Sequence, residues 1–468
     1  MSEPRRGRAA IGVAPDISPA DMLPYRLPPG RRKYIRGTRK RARTPQESRQ
    51  AQLTTPTLES TSPAALLADG IPAQSGILGR LLSSDRRRAV LVILVWKLAV
   101  LGTVAFAYDG LRFFEEQRNL DFYYPRTAEI SFSTVFTTWD SSRYLYLAEQ
   151  GYAPDQSSNW FAPLFPLSIR GVNLIIGDSI VAGLLISNVA STLGLYLFYV
   201  FARERLGQSS AFRALLLLVA FPTAFFLNLI YAEGLFLLFT MLFLYFLYQR
   251  RFGFAALAAF PLPMIRLVGV AIALPFAVFL VVDSLAAARR DAVRVNLAWL
   301  RHASRRFVYL LGPLLGLVAY YAYMFWATGD ALAAQHAQGA FISGWDLKYA
   351  LQPWVAVDRF FDPSTAIHGD TNSGLDRMFF VGFLASTPLV YRRLDKPLFA
   401  LYLVMGLQPL LGSYMSYMRY LMLALPLYLA YGSWLGTRKR DALQVIVILM
   451  AVAQFGFLSL HVTNHWVS

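Results

Sequence analysis

Long apolar runs cut by short charged clusters fill the chain from residue 86 onward. A helix rising 1.5 Å per residue needs about 20 apolar residues to cross a 30 Å hydrocarbon layer, and 89–108 is the first run to meet that. Further runs occupy 178–202, 211–229, 234–249, 252–265, 267–288, 305–327, 376–391, 396–413, 417–435 and 441–461, of which 234–249 and 252–265 are short for a full crossing. The apolar stretch 160–177 reads instead as a helix packed at the outer surface. Unpaired backbone groups are prohibitive in lipid, so the pattern predicts an all-α integral membrane protein, a multi-span helical bundle of about eleven transmembrane helices. It carries no internal repeat of the kind many transporters show.

Charge sets the expected orientation, because basic clusters hold alternate connections in the cytoplasm. Arg86, Arg87 and Arg88 precede the first run. Arg203, Arg205 and Arg213, then Arg250 and Arg251, then Arg289, Arg290, Arg294, Arg301, Arg305 and Arg306 fall in every second connection, followed by Arg392, Arg393 and Lys396 and by Arg438, Lys439 and Arg440. Two of the intervening connections are long and acidic: 109–155 holds eight acids and four bases, and 328–376 six acids and two bases, Lys348 and Arg359. Two large extracytoplasmic loops are therefore expected at about 109–177 and 328–375, with the N-terminal tail in the cytoplasm.

Composition narrows the class further. Of 468 residues 56% are hydrophobic and only 16% charged, against roughly 25% charged in soluble domains, which argues against a purely soluble protein. With no cysteine, disulfide scaffolds, zinc-thiolate sites and cysteine nucleophiles are excluded, and the redox compartment stays open. The net charge of +17 is uneven, since seventeen Lys and Arg face seven acids up to Arg88. Residues 1–85 predict a disordered basic cytoplasmic tail that either attracts anionic headgroups or an acidic partner, or only sets topology; 86–468 form the membrane domain. No apolar h-region follows Met1, so no signal peptide is expected. Membrane lipids, not nucleic acid, are the expected partner.

The polar chemistry gathers in the outer connections. After Trp139 and Asp140, Tyr144, Leu147 and Ala148 recur at helical spacing and Gly151 stops the run, which predicts a short amphipathic helix in the interface with Asp140 at its start. Asp140 is then either an N-cap or a carboxylate held near the membrane as a general base. Lys97 sits in the middle of the first run, a costly place for a charge, with no role beyond pairing inside the bundle.

Trp139-Asp140, Gly151-Tyr152, Phe161-Ala162-Pro163-Leu164-Phe165-Pro166-Leu167, Phe221-Pro222-Thr223-Ala224-Phe225-Phe226 and Tyr231-Ala232-Glu233-Gly234-Leu235-Phe236 follow one another along the chain. Arg266-Leu267-Val268-Gly269, Gly329-Asp330 with Gln335, and Ser416-Tyr417-Met418-Arg419-Tyr420 before Pro426 come next. The ordered set resembles the GPI mannosyltransferase 2 (PIG-V) family of GT-C type, polyprenyl-phosphate-dependent glycosyltransferases. It runs from about 130 to 430 and departs from many relatives at Ala162-Pro163, where they carry an aromatic pair before the proline.

The resemblance implies a GT-C type bundle and an inverting transfer of a sugar, mannose by analogy with that family, from a polyprenyl-phosphate donor to an extracytoplasmic lipid or glycan acceptor. It implies Asp140 as the catalytic base, Arg266 and Arg419 on the donor phosphate, and Trp139, Glu233, Asp330 and Gln335 around the sugar or acceptor. By the charge alternation all of these fall on the outer side. Each also has a plainer reading: Glu233 favours the positive end of a helix, and either arginine could snorkel to headgroups. No Gly-rich phosphate loop is present, in keeping with a lipid-linked donor. No cofactor is implied; a divalent cation could sit on Asp370 and Asp376, unless Gly369-Asp370-Thr371-Asn372-Ser373-Gly374 forms a solvated turn. His336 and His368 lack ligand spacing and read as surface residues, and Trp160, Trp326 and Trp466, with Trp139, as interfacial anchors. The expected location is the plasma membrane of a bacterium or the endoplasmic reticulum of a eukaryote. The competing function is a transporter or flippase of a lipid-linked glycan, which should place ionisable groups near the midplane on broken helices.

Overall fold

The structure, a computed structural model, describes residues 84–114, 124–125, 129–290, 299, 304–339, 347–362, 373–436 and 440–467. The tail up to residue 83, with His368 and Asp370, lies outside them. Helices build the described part, which contains no β-strand. They are α1 (Ser84–Gly110), α2 (Asp140–Gln150), α3 (Leu164–Ile176), α4 (Ser179–Leu206), α5 (Gln208–Ala220), α6 (Glu233–Tyr248), α7 (Phe252–Ala259), α8 (Leu262–Ile265) and α9 (Ala273–Arg290). After these come α10 (Leu311–Thr328), α11 (Ala333–Gly339), α12 (Pro353–Phe361), α13 (Gly374–Arg393), α14 (Lys396–Gly406), α15 (Tyr417–Leu421), α16 (Leu425–Trp434) and α17 (Arg440–Val462).

Five segments are long and apolar enough to cross a membrane: Ser84–Gly110, Ser179–Leu206, Leu267–Arg290, Arg305–Thr328 and Asp441–Val462. They are apolar on their outward faces too. In α1 a stripe of Ala89, Ile93, Trp96, Val100 and Val104 is buried, while Leu91 and Leu98 on the other side are 61% and 67% exposed. A helix apolar all round belongs in lipid or deep in a core, which marks an α-helical membrane protein. Within the bundle α4 packs along α6, α5 along α16, α9 along α14 and α1 along α17. Small residues allow the closest approaches: a Cβ on Gly316 of α10 would lie 1.9 Å from the backbone oxygen of Phe260.

Several apolar runs that read as continuous spans are interrupted. The run 211–229 stays helical only to Ala220, because Phe221 precedes Pro222 and takes an extended conformation (φ −56°, ψ 137°). A 3₁₀ turn, Ala224–Leu227, then carries the chain back to Glu233. Likewise 417–435 divides into α15 and α16, and α14 ends at Gly406 ahead of Gln408–Leu411.

Neighbouring helices satisfy the backbone groups freed at the first break. Gln454 of α17 donates to the carbonyls of Val219 (3.0 Å) and Phe221 (2.6 Å) and accepts from the Trp96 indole (2.9 Å). Lys97 of α1 donates to Asn188 Oδ1, Ser191 Oγ and Asn228 Oδ1 at 3.0, 2.8 and 2.9 Å and lies 5.6 Å from the Trp96 ring, so among the described residues it pairs with neutral groups.

The break sets the depth of Glu233. A Cβ on Gly234 would meet the Ser187 carbonyl oxygen at 2.7 Å and the Ser191 side chain at 3.2 Å. Glu233 therefore lies beside the middle of α4, about 12–18 Å along that helix from Ser179, not level with its end as a straight run to residue 229 had implied.

Candidate functional site

Four charged side chains from four separate stretches meet in this interior. Arg419 donates through Nε and Nη2 to Glu233 Oε1 and through Nη1 to Asp140 Oδ2, each at 2.6 Å. Arg266 donates through Nη1 to the same Glu233 Oε1 at 2.6 Å. Two carboxylates and two guanidiniums cancel in charge, and short charge-assisted bonds are the condition under which a buried ionic group repays its desolvation. The side chains open in order: Glu233 is 0% exposed, Arg419 4%, Arg266 14% and Asp140 26%. Asp140 is thus the member nearest the outside of the cluster.

Aromatic rings wall the guanidiniums. Tyr231 and Phe226 lie 4.5 and 4.7 Å from the Arg419 guanidinium carbon, and Tyr420 4.5 Å from that of Arg266, within cation–π range. Tyr144 is buried in the field of all four charges. Burial first, then Glu233 and Asp140, push its phenol well up, so its hydroxyl stays protonated and able to donate.

Backbone geometry places the acids and Arg419. Asp140 is the first residue of α2, but its side chain makes no cap; the N-cap position belongs to Trp139, at φ 57° and ψ −135°. A left-handed φ is costly for an aromatic residue, of order 1–3 kcal/mol, and persists where the surroundings over-determine it. Here Ser142 holds the Trp139 carbonyl through its amide (3.0 Å) and its hydroxyl (2.6 Å), and the Trp139 ring sits edge-on to Trp466 at 5.1 Å. Arg419 follows a second such residue, Ser416 (φ 60°, ψ 21°). Arg266 leaves the end of α8 in an extended conformation that throws it toward Glu233.

Among the described residues, the second connection does not join this cluster. Asp330 accepts from the Leu332 amide at 2.9 Å and pairs with His336 Nδ1 at 2.7 Å; the amide first, then the histidine, holds its carboxyl below the usual range. Gln335 donates to the Tyr321 hydroxyl at 2.7 Å, and α11 packs on the turn Ser157–Trp160. Trp326 is exposed, as an interfacial anchor would be.

Asp376 is turned inward onto the start of α15. It is 1% exposed, receives the Met418 amide at 2.8 Å with the amides of Tyr417 and Ser416 beside it, and accepts from Ser373. The Ser373-x-x-Asp376 spacing is a capping-box signature, and it was the available signal. His461, 3% exposed and ringed by Phe225, Phe226 and Tyr231, gave no comparable sign in its apolar run. Comparison with protein-family models and with curated proteins finds no match to this chain.

Proposed function

We propose that the chain is a membrane glycosyltransferase of the GT-C type, moving a sugar, mannose by the family resemblance, from a polyprenyl phosphate to an extracytoplasmic lipid or glycan acceptor with inversion. The observation that carries the reading is the meeting of Asp140, Glu233, Arg266 and Arg419 in one cluster whose most open member is a carboxylate. In this reading Asp140 takes the proton of the acceptor hydroxyl as its oxygen attacks the anomeric carbon. The bond from that carbon to the phosphate oxygen breaks, and its electron pair stays on the departing polyprenyl phosphate.

The two arginines divide the work. Arg419 has three N–H groups committed to carboxylates, which suits it to holding Asp140 and Glu233 in register. Arg266 commits only Nη1 among the described residues, so its remaining donors suit the phosphate and the charge that builds on it. Trp139 positions Asp140 through the backbone, and Asp330 and Gln335 are left to an acceptor reaching along the second outer loop.

A second reading, transport or flipping of a lipid-linked glycan, is favoured by Glu233 beside the middle of α4 and Lys97 bonded to Asn228 at a broken helix. One experiment separates the two. Purified protein is incubated with polyprenyl-phosphate mannose and a panel of lipid acceptors, and products are weighed by mass spectrometry. Transfer adds one hexose to an acceptor and releases polyprenyl phosphate; transport returns the donor intact and would overturn the proposal.

A further inference from the structure

We infer that Asp376 is a positioning residue for the candidate site, acting through Arg419. α15 is a single short turn of helix, Tyr417–Leu421, too short to hold itself in place, and it delivers Arg419 to both carboxylates. The turn begins at Ser416 in the left-handed region, a conformation that points successive amides to one side and forms an anion-holding nest. The carboxylate in that nest is Asp376 of α13: Oδ1 takes the Met418 amide at 2.8 Å, with those of Tyr417 and Ser416 adjacent, while Ser373 fixes Oδ2.

A second bond closes the frame on the opposite side, where Thr223 donates to the Met418 carbonyl at 3.3 Å. One buried acid from a distant helix thus fixes the residue next to Arg419. Asp376 itself makes no bond to Asp140, Glu233 or Arg266 among those described.

The test uses the full chain in detergent with Asp376→Asn, Arg419→Lys and the double variant. Asparagine keeps the shape but takes the negative charge out of the nest and leaves one carbonyl oxygen, in place of two carboxylate oxygens, to accept from the amides and Ser373. Hydrogen exchange in the 416–421 peptide then rises about tenfold or more, while 425–434 keeps the wild-type rate. Turnover with polyprenyl-phosphate mannose falls in both single variants, and the double is no slower than the worse of them, as for two residues on one path. Where Asp376→Asn fails to fold, Asp376→Glu carries the same comparison.

Unchanged exchange at 416–421, or losses that multiply in the double variant, overturns the inference. The turnover arm rests on the transfer reading; the exchange arm does not. A wild-type protein without transferase activity would therefore defeat that reading and still leave Asp376 decided by exchange.

Discussion

Arg266 and Arg419 carry the same charge but offer a ligand different numbers of donors. Arg419 is almost fully spent on Glu233 and Asp140, whereas Arg266 keeps all but one of its N–H groups among the described residues. Replacing Arg266 by Lys keeps the charge but loses the planar fork. Donor affinity, followed by titration with polyprenyl phosphate, should fall about tenfold for Arg266→Lys, and about 10–100-fold for Arg266→Ala, the worth of one or two charge-assisted bonds. Wild-type affinity in Arg266→Lys would mean that Arg266 only snorkels. Arg419→Ala should act on stability instead, by about 1–3 kcal/mol, because it removes most of the guanidinium contacts of a carboxylate that has no exposure at all and leaves it to Arg266 alone. Thermal unfolding in detergent would read that loss. At this scale much was legible from the order of motifs: Asp140, Glu233, Arg266 and Arg419 stand out as charges at the ends of apolar runs. Asp330 and Gln335 stood out by the same logic, yet they bond to His336 and Tyr321, because sequence order cannot say which connections fold over the bundle.

Hydropathy locates helices better than it locates their interruptions. The five long spans fall on runs read from the sequence, since lipid demands apolar residues along the whole length. A break inside a bundle demands them equally, so the run 211–229 shows no fall in hydropathy where the helix stops at Ala220. The marker was Pro222, and its consequence is that a carboxylate expected at an end lies beside mid-helix α4. The break should depend on the polar residues that serve it. Gln454→Leu leaves two carbonyls, of Val219 and Phe221, and the Trp96 N–H without their partner. Each unsatisfied buried group costs about 1–3 kcal/mol. The variant should therefore unfold at lower temperature than wild type, and exchange should rise around 219–229. A Gln454→Leu protein as stable as wild type would show that the break is held by packing alone.

For the molecule as a whole, orientation rests on the alternation of basic clusters. A chain without cysteine is well suited to labelling, provided the new residue is accessible. Ser157 and Ser209 are both exposed, at opposite kinds of connection, one beside the acidic first loop and one among Arg203, Arg205 and Arg213. In sealed cells an impermeant maleimide should label Ser157→Cys at once and Ser209→Cys only after the membrane is opened; the reverse would invert the topology. The central claim is that the cluster transfers a sugar with Asp140 as base. The most direct measurement is single-turnover transfer from polyprenyl-phosphate mannose by wild type and by Asp140→Asn, with donor binding measured on the same samples. The amide keeps the shape of the side chain but cannot take a proton. Transfer should fall about 10²- to 10⁴-fold while donor affinity stays close to wild type. Transfer within about threefold of wild type, at equal donor binding, would remove Asp140 from the chemistry and contradict the account.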